Sequence, residues 1–400
     1  MARMSDRGEI PSLTGLRGVA ATLVMVDHLA EVEDFGAAFP LGMLPHMYVA
    51  VDMFMILSGF ILAMTYEQRL RLLPAGRGYR LFVARRIARL WPLYALTTLI
   101  CFALCRAGLL TFLHPDTSFA ALVANLFAVQ SWAWPGSSLN GPGWSISTEW
   151  LANLMFPALL PVVLGRSPRW ALAAAGLGLA AVIHAALRYG QLFDVPSPGA
   201  INTITGLGAV ARCTGEFVIG LYCWRLRSRV PAMRALGGNG WQLGVLLVLP
   251  LLLLDTRLDV LSVVGCAILV LGLSFETSIV SATLRSAPLM HLGRISYSIY
   301  LVHIAFLPLR DMLATRLGVY GVPAAWLLAV LCCVAVVMIL ATLTRRYIEQ
   351  PAQRALLRVF RADDRSRVAP VPAPDGPTPT RSDRWPETAA TASVRRGEYW

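Results

Sequence analysis

The feature that most constrains this chain is a succession of long apolar runs, several of them without a charged residue. Residues 240–254 and 323–343, for example, contain no Asp, Glu, Lys or Arg. A helix that crosses the lipid core needs about 20 apolar residues, because its backbone must satisfy its own hydrogen bonds there. The alternation typical of a membrane barrel is absent. The sequence therefore predicts an all-α fold, a polytopic membrane helical bundle.

Composition excludes a water-soluble globule. The chain is 56% hydrophobic and 14% charged, whereas soluble proteins carry about 25% charged residues. Its net charge of +12 comes without the aromatic-interleaved basic motifs or zinc-ligand spacing of nucleic-acid-binding proteins. The seven cysteines include no C-x-x-C pair, which argues against a disulfide or metal framework. We expect a lipid bilayer as the surrounding solvent, no nucleic-acid partner and no metal.

The apolar runs predict ten membrane spans and a multi-pass protein of the cell membrane. A shorter apolar stretch, 117–134, is interpreted as a re-entrant or surface segment rather than an eleventh span. The ten predicted spans are 14–32, 48–66, 91–110, 145–164, 170–187, 206–224, 240–254, 259–275, 296–313 and 323–343.

The distribution of arginine predicts the orientation of these spans. With the N-terminus inside, 20 arginines before the tail fall on the inner side and five on the outer side, which is the bias of the positive-inside rule. Both termini are therefore expected in the cytoplasm. The composition changes near residue 356 to Pro, Ala, Thr, Ser and Arg without apolar periodicity. We expect a membrane domain at 1–355 and a disordered cytoplasmic tail at 356–400.

Two ionisable residues in the first predicted span lie on one helix face. Arg17 and His28 are 11 residues apart, so they are within about 20° of each other around the helix and about 16 Å apart along it. Ionisable groups at membrane depth mark functional sites by default. Histidine is suited to removing a proton from a hydroxyl near neutral pH. His28 is a candidate catalytic base, and a packing histidine is the alternative.

Two carboxylates are candidate partners of His28. Asp52, near the outer end of the second span, is predicted either to orient His28 or an acceptor hydroxyl, or to cap its helix. Glu149, at the start of the fourth span, is predicted at the depth of His28, with stabilisation of the helix start as its alternative role. Arg212 and Glu216 are spaced i, i+4 and are predicted to neutralise one another.

Three arginines precede the third predicted span. Arg85, Arg86 and Arg89 are spaced to form a cluster at the cytoplasmic surface. Guanidinium groups bind phosphates bidentately, so this cluster is a candidate anion site. Anchoring to lipid headgroups is the alternative.

In order along the chain, these segments resemble the acyltransferase family 3 membrane proteins, which include O-acetylases of bacterial surface polysaccharides. The matching segments are Pro11-Ser-Leu-Thr-Gly-Leu-Arg17-Gly with His28, Asp52-Met-Phe-Met-Ile-Leu-Ser58-Gly59-Phe60, Arg85-Arg86-x-x-Arg89, Trp144-Ser-Ile-Ser-Thr-Glu149, Arg212-x3-Glu216-Phe-x2-Gly220, Leu292-Gly-Arg-Ile-Ser296-Tyr297-Ser-Ile-Tyr300-Leu-Val-His303 and Tyr347-Ile-Glu349-Gln-Pro351.

The resemblance implies an acyltransferase that uses an acyl-CoA donor from the cytoplasm and a hydroxyl-bearing acceptor. It implies that Arg17 and His28 are essential, and that Arg85, Arg86 and Arg89 lie at the donor end. We therefore expect Arg17, Arg85, Arg86 and Arg89 to bind the donor, and His28, Asp52 and Glu149 to serve catalysis. No permanently bound cofactor is expected.

The predicted reaction is transfer of an acetyl or short acyl group to a hydroxyl of a cell-envelope carbohydrate or glycolipid. The alternative acceptor is a macrolide-type hydroxyl of a secondary metabolite. A membrane transporter is the alternative outside enzymes, since intramembrane charges also mark substrate pathways. Transporters are often built from two inverted repeats, and the sequence shows no such internal similarity.

Overall fold

The computed structural model describes residues 9–30, 46–72, 75–110, 116–132, 137–192, 195–321 and 324–366. In these ranges the chain is helical apart from loops and one antiparallel pair of two-residue strands, β1 (Gln191–Leu192) and β2 (Val195–Pro196). The α-helices are α1 (Pro11–Ala30), α2 (Val49–Leu72), α3 (Ala75–Arg106), α4 (Phe119–Leu126), α5 (Gly143–Val163), α6 (Pro168–Tyr189), α7 (Gly206–Arg229), α8 (Asn239–Leu252), α9 (Asp259–Leu273), α10 (Ile279–Leu284), α11 (Ala287–Val302), α12 (Leu307–Val319), α13 (Ala325–Thr344) and α14 (Gln350–Ser366).

Eight helical segments of the described ranges are long and apolar enough to cross a membrane. A ninth results if the 3-10 helix Pro231–Gly237 and α8, which meet at 61°, form one broken span. The predicted all-α, multi-pass membrane fold is confirmed, whereas the number of spans stays a prediction. The apolar stretch at 117–134 contains α4, whose eight residues are too short to cross a bilayer.

Helix α7 is as long as a membrane span but is not among those eight segments. It coincides with the predicted span 206–224, and it carries Arg212 and Glu216, both completely buried. It packs against α2, α5 and α6. These two charged side chains therefore face other helices rather than lipid.

Glycines allow two helix pairs in the core to meet backbone to backbone. A Cβ atom added to Gly18 of α1 would lie 2.5 Å from the backbone nitrogen of Gly293 in α11. One added to Gly220 of α7 would lie 2.1 Å from the carbonyl oxygen of Ile56 in α2. Small residues at helix interfaces permit this close approach in membrane proteins. The α1–α11 contact brings α1, which carries His28, beside the helix that precedes His303.

The third predicted span differs most from the structure. It was expected to begin at residue 91, but α3 begins at Ala75 and runs for 32 residues. Arg85, Arg86 and Arg89 therefore lie inside a long helix and not before it. The predicted start at residue 91 is the point where an uninterrupted run of apolar residues begins. The helix continues past it because Arg86 is buried against another helix instead of lipid.

The predicted span 296–313 is interrupted by a 3-10 turn at His303–Phe306, between α11 and α12. Near the C-terminus the chain divides into the units Met1–Phe360 and Arg361–Trp400. Helix α14 (Gln350–Ser366) includes residue 356, and the predicted tail 356–400 stays a prediction. The rest of that predicted tail, 367–400, lies outside the described residues.

Candidate active site

His28 lies in the last turn of α1 and is half-buried. Its Nδ1 atom is 2.8 Å from the carbonyl oxygen of Val24. A carbonyl oxygen only accepts hydrogen bonds, so the ring proton is assigned to Nδ1. This tautomer leaves the lone pair on Nε2. His28 is thus arranged to accept a proton at Nε2, as a general base must.

A second histidine contacts the first. His303 begins the 3-10 turn after α11, is fully buried, and places its Nδ1 atom 3.0 Å from the Ile299 carbonyl oxygen. The same reasoning puts its proton on Nδ1 and leaves Nε2 as an acceptor. That Nε2 atom is 3.3 Å from Nδ1 of His28, and the ring centroids are 5.1 Å apart. With these tautomers, the single Nδ1 proton of His28 is shared between the Val24 carbonyl oxygen and Nε2 of His303, and it stays in place when His28 acts as a base.

The helix end that bears His28 is fixed by a cation. Arg310 of α12 donates from Nη1 to the carbonyl oxygens of His28 and Leu29, both at 3.2 Å. Its guanidinium also stacks on the Trp326 ring, 4.7 Å from the centroid. The last carbonyls of a helix have no partner within the helix and carry partial negative charge. Arg310 satisfies them and restrains the turn that positions His28.

The start of α5 lies beside the histidine pair. The Tyr300 hydroxyl is 2.7 Å from Oγ of Ser145 and donates to the Pro142 carbonyl at 3.3 Å. The Tyr300 ring centroid is 6.3 Å from that of His303. Asn140 donates to the Leu301 carbonyl at 2.9 Å. These contacts attach the loop before α5 to the end of α11.

Arg17 lies deeper on the same face of α1, at the centre of a second charged group. It donates to Oγ of Ser296 at 3.4 Å. It is also within electrostatic range of Arg89, Glu149 and Glu349. Eleven residues separate it from His28, about 16 Å along the helix. Arg17 and His28 therefore mark the two ends of one functional face.

Glu149 belongs to the Arg17 level of this face. Its Oε1 atom accepts from Nη2 of Arg86 at 2.7 Å and from Oγ of Ser58 at 3.0 Å. No hydrogen bond or ion pair within the described ranges joins it to His28. Glu149 is also within electrostatic range of Arg17. Sequence position along α5 could not reveal that the early start of α3 brings Arg86 to this carboxylate.

Asp52 is part of a buried ion pair. Both of its oxygens accept from Arg212, at 2.7 Å from Nε and 2.8 Å from Nη2, and both side chains are 0% exposed. Glu216, the predicted partner of Arg212, lies farther away at 3.7 Å. The structure therefore joins Asp52 to Arg212 and, in the ranges described, not to His28. This bidentate contact fixes α2 against α7.

The three arginines of α3 have different partners in the structure. Arg86 pairs with Glu149, whereas Arg89 is within electrostatic range of Arg17. Arg85 is half-buried and pairs with none of the described residues. Among the site residues proposed from the sequence, the structure thus brings together Arg17, Arg86, Arg89 and Glu149. It leaves Asp52 apart and adds His303, which ends one of the segments that resemble the family but was not proposed as a site residue.

Comparison with known proteins identifies the class of this site. The sequence model of acyltransferase family 3, described as an acyltransferase domain, matches residues 10–346. The chain belongs to acyltransferase family 3. The resemblance inferred from the motifs is therefore confirmed, and so is the prediction that the protein is an acyl-transferring enzyme. The transporter alternative is wrong, because the family match covers nearly the whole membrane portion.

This family 3 acyltransferase is similar to two curated proteins, one of which is named an acyltransferase. It is 29% identical to Acyltransferase MdmB of Streptomyces mycarofaciens over 405 aligned residues, which cover 91% of this chain and 95% of that protein. It is 33% identical to Protein 2 in picA locus of Rhizobium radiobacter over 162 residues, which cover 36% of this chain and 78% of the other. No solved structure matches the chain.

Proposed function

We propose that this protein is an integral-membrane O-acyltransferase that moves an acetyl or short acyl group from acyl-CoA to a hydroxyl of a cell-envelope carbohydrate or glycolipid. The observation that supports it best is the His28–His303 pair, which leaves Nε2 of His28 ready to accept a proton. A hydroxyl acceptor must lose its proton as it attacks a thioester, and a positioned base lowers that barrier.

In the proposed reaction the acceptor hydroxyl gives its proton to Nε2 of His28. Its oxygen attacks the thioester carbonyl carbon, and the resulting tetrahedral intermediate expels the CoA thiolate. The thiolate takes the proton back from His28, so that CoA leaves as the thiol and the ester remains. Throughout, Nδ1 of His28 donates to the Val24 carbonyl and towards Nε2 of His303. No covalent acyl-enzyme is required.

The charged group around Arg17 is proposed to receive the donor from the cytoplasmic side. Arg17, Arg85 and Arg89 are proposed donor-binding residues, and their positive charge suits a polyanionic substrate. Arg86 is held by Glu149, so both are proposed to position this group. Asp52 is proposed to maintain the α2–α7 contact through Arg212. This assignment replaces its expected role at His28.

The proposed topology has ten spans with both termini in the cytoplasm of a cell-membrane protein. It counts α7 and the broken α8 segment together with the eight apolar segments. The side-chain pairs Arg17–Ser296 and His28–His303 indicate that α1 and α11 run in the same direction. They are spans one and nine of this count, and odd-numbered spans must share a direction.

Product analysis tests this proposal. The purified protein in lipid nanodiscs would be given isotope-labelled acetyl-CoA and longer acyl-CoAs, with envelope glycans, glycolipids or polyketide macrolides as acceptors. Mass spectrometry should find the label as an ester on a glycan or glycolipid. Label on the macrolide would establish the alternative acceptor and contradict the envelope assignment. Transfer from no thioester would contradict the acyl-CoA donor.

A further inference from the structure

A surface cavity lies where α11 meets the junction of α13 and α14. Its volume is about 150 Å³. It is separate from the histidine pair and has no role in the proton transfer described above. The residues that line it are His291, Arg294, Ile295, Thr342, Arg345, Arg346 and Gln350.

Three guanidinium groups give this cavity a strong positive charge. Arg345 donates to the backbone carbonyl of Arg294, which brings α11 and the end of α13 together. Arg294 and Arg346 are exposed, and neither has a carboxylate within ion-pair distance in the ranges described. Like charges held together are unfavourable unless an anion neutralises them. The ligand suited to this cavity is therefore an anion.

The backbone at the cavity is irregular. The five residues Arg345–Glu349 form a π-helical turn between α13 and α14, and such turns are frequent at functional sites. The turn places Arg345 and Arg346 at the cavity, while Glu349 is buried and accepts from Ser298 at 3.0 Å. The only carboxylate of the turn is thus buried and hydrogen-bonded to α11.

Arg345 connects the cavity to the charged group below the histidines. It is within electrostatic range of Arg89, Arg294 and Glu349. Arg17 is in turn within electrostatic range of Arg345. The cavity therefore lies beside the Arg17 end of the functional face, the end predicted to be cytoplasmic. A ligand bound here could extend towards Arg17.

We infer that this cavity binds a phosphate group of the acyl-CoA donor through Arg294, Arg345 and Arg346. The inference rests on the proposed function, because that function supplies a phosphate-bearing donor. Guanidinium groups bind phosphate oxygens bidentately, which suits three of them around a small cavity. Of the arginines Arg85, Arg86 and Arg89 predicted to bind phosphate, Arg86 is engaged by Glu149, so further cations are needed for a polyanionic donor. An anionic lipid headgroup offers the same phosphate chemistry, and the experiment separates the two.

The test measures equilibrium binding of CoA and of pantetheine to the full chain by isothermal titration, in nanodiscs made only of phosphatidylcholine. Arg294→Gln and Arg346→Gln are compared with Arg169→Gln, a control at an exposed arginine outside the cavity. Each cavity variant should weaken CoA binding by about tenfold, because it removes a charge-assisted contact of about 1.4 kcal/mol. Pantetheine binding, and CoA binding by the control, should be unchanged. Melting temperatures verify that all variants are folded.

Unchanged CoA binding in both cavity variants would overturn the inference. So would an effect that appears only when phosphatidylglycerol is added to the nanodiscs, because it would assign the cavity to a lipid headgroup. The readout is binding and not turnover, so it is independent of the proposed reaction. A protein that binds CoA through this cavity but transfers no acyl group would contradict the proposed function alone.

Discussion

The two histidines differ in their expected contributions. His28 is half-buried with Nε2 available, whereas His303 is fully buried and contacts Nδ1 of His28. His303 is therefore a positioning residue and not a proton acceptor from substrate. The role of His303 resembles that of the carboxylate that orients the histidine of a catalytic triad, but here the hydrogen-bond acceptor is neutral.

Substitution of His303 tests this role. His303→Ala removes the acceptor and should lower kcat by about tenfold to a hundredfold, while KM for the donor stays unchanged. His303→Gln retains an acceptor oxygen near Nδ1 of His28 and should recover part of the lost kcat. Steady-state kinetics with saturating acceptor make the comparison. Equal kcat values for Ala and Gln would indicate a packing role only.

The buried ion pair between α2 and α7 predicts a stability effect. Asp52→Ala leaves Arg212 buried, with Glu216 at 3.7 Å as its remaining carboxylate. Loss of one partner of a buried pair costs about 3–5 kcal/mol. We expect a clear drop in melting temperature in detergent. The double variant Asp52→Ala/Arg212→Leu should be more stable than Asp52→Ala alone, and the opposite order would contradict this account.

At the scale of helices, the close contact between α2 and α7 determines how the fold responds to added volume. Gly220→Ala in α7 places a methyl group 2.1 Å from the Ile56 carbonyl oxygen. Overpacking of this kind costs about 1–3 kcal/mol, so the melting temperature should fall. Gly176→Ala in α6 is the matched control, since nothing lies within 4 Å of its added Cβ. Equal effects of the two substitutions would contradict the backbone-to-backbone contact.

At the scale of the whole molecule, the ten-span topology gives definite reporter results. Green fluorescent protein fused after Arg229, at the end of α7, should fluoresce, because this end of α7 is predicted to be cytoplasmic. Alkaline phosphatase fused after Arg257 should be active, because the next loop is predicted outside. These positions flank the broken α8 segment, whose crossing decides the count. An inactive alkaline phosphatase at Arg257, together with fluorescence of a green fluorescent protein fused there, would show that α8 does not span the membrane.

The sequence predicted the membrane bundle and the shared face of Arg17 and His28, because apolar length and helical periodicity are local properties. The contacts between helices depend on how each helix is aligned along its neighbours. The sequence of a single span does not contain that information. The Arg86–Glu149 and Asp52–Arg212 pairs are of this kind, and so is the His28–His303 contact. The start of α3 was missed because charged residues can continue a membrane helix when they face protein.

The central claim, that His28 is the base of an acyl transfer, is tested most directly by one comparison. Wild-type and His28→Ala proteins in nanodiscs would be given labelled acetyl-CoA and the acceptor identified by product analysis. The account predicts that the variant loses turnover by about a hundredfold or more while its affinity for CoA stays within twofold of wild type. Turnover retained in a folded His28→Ala protein would contradict it.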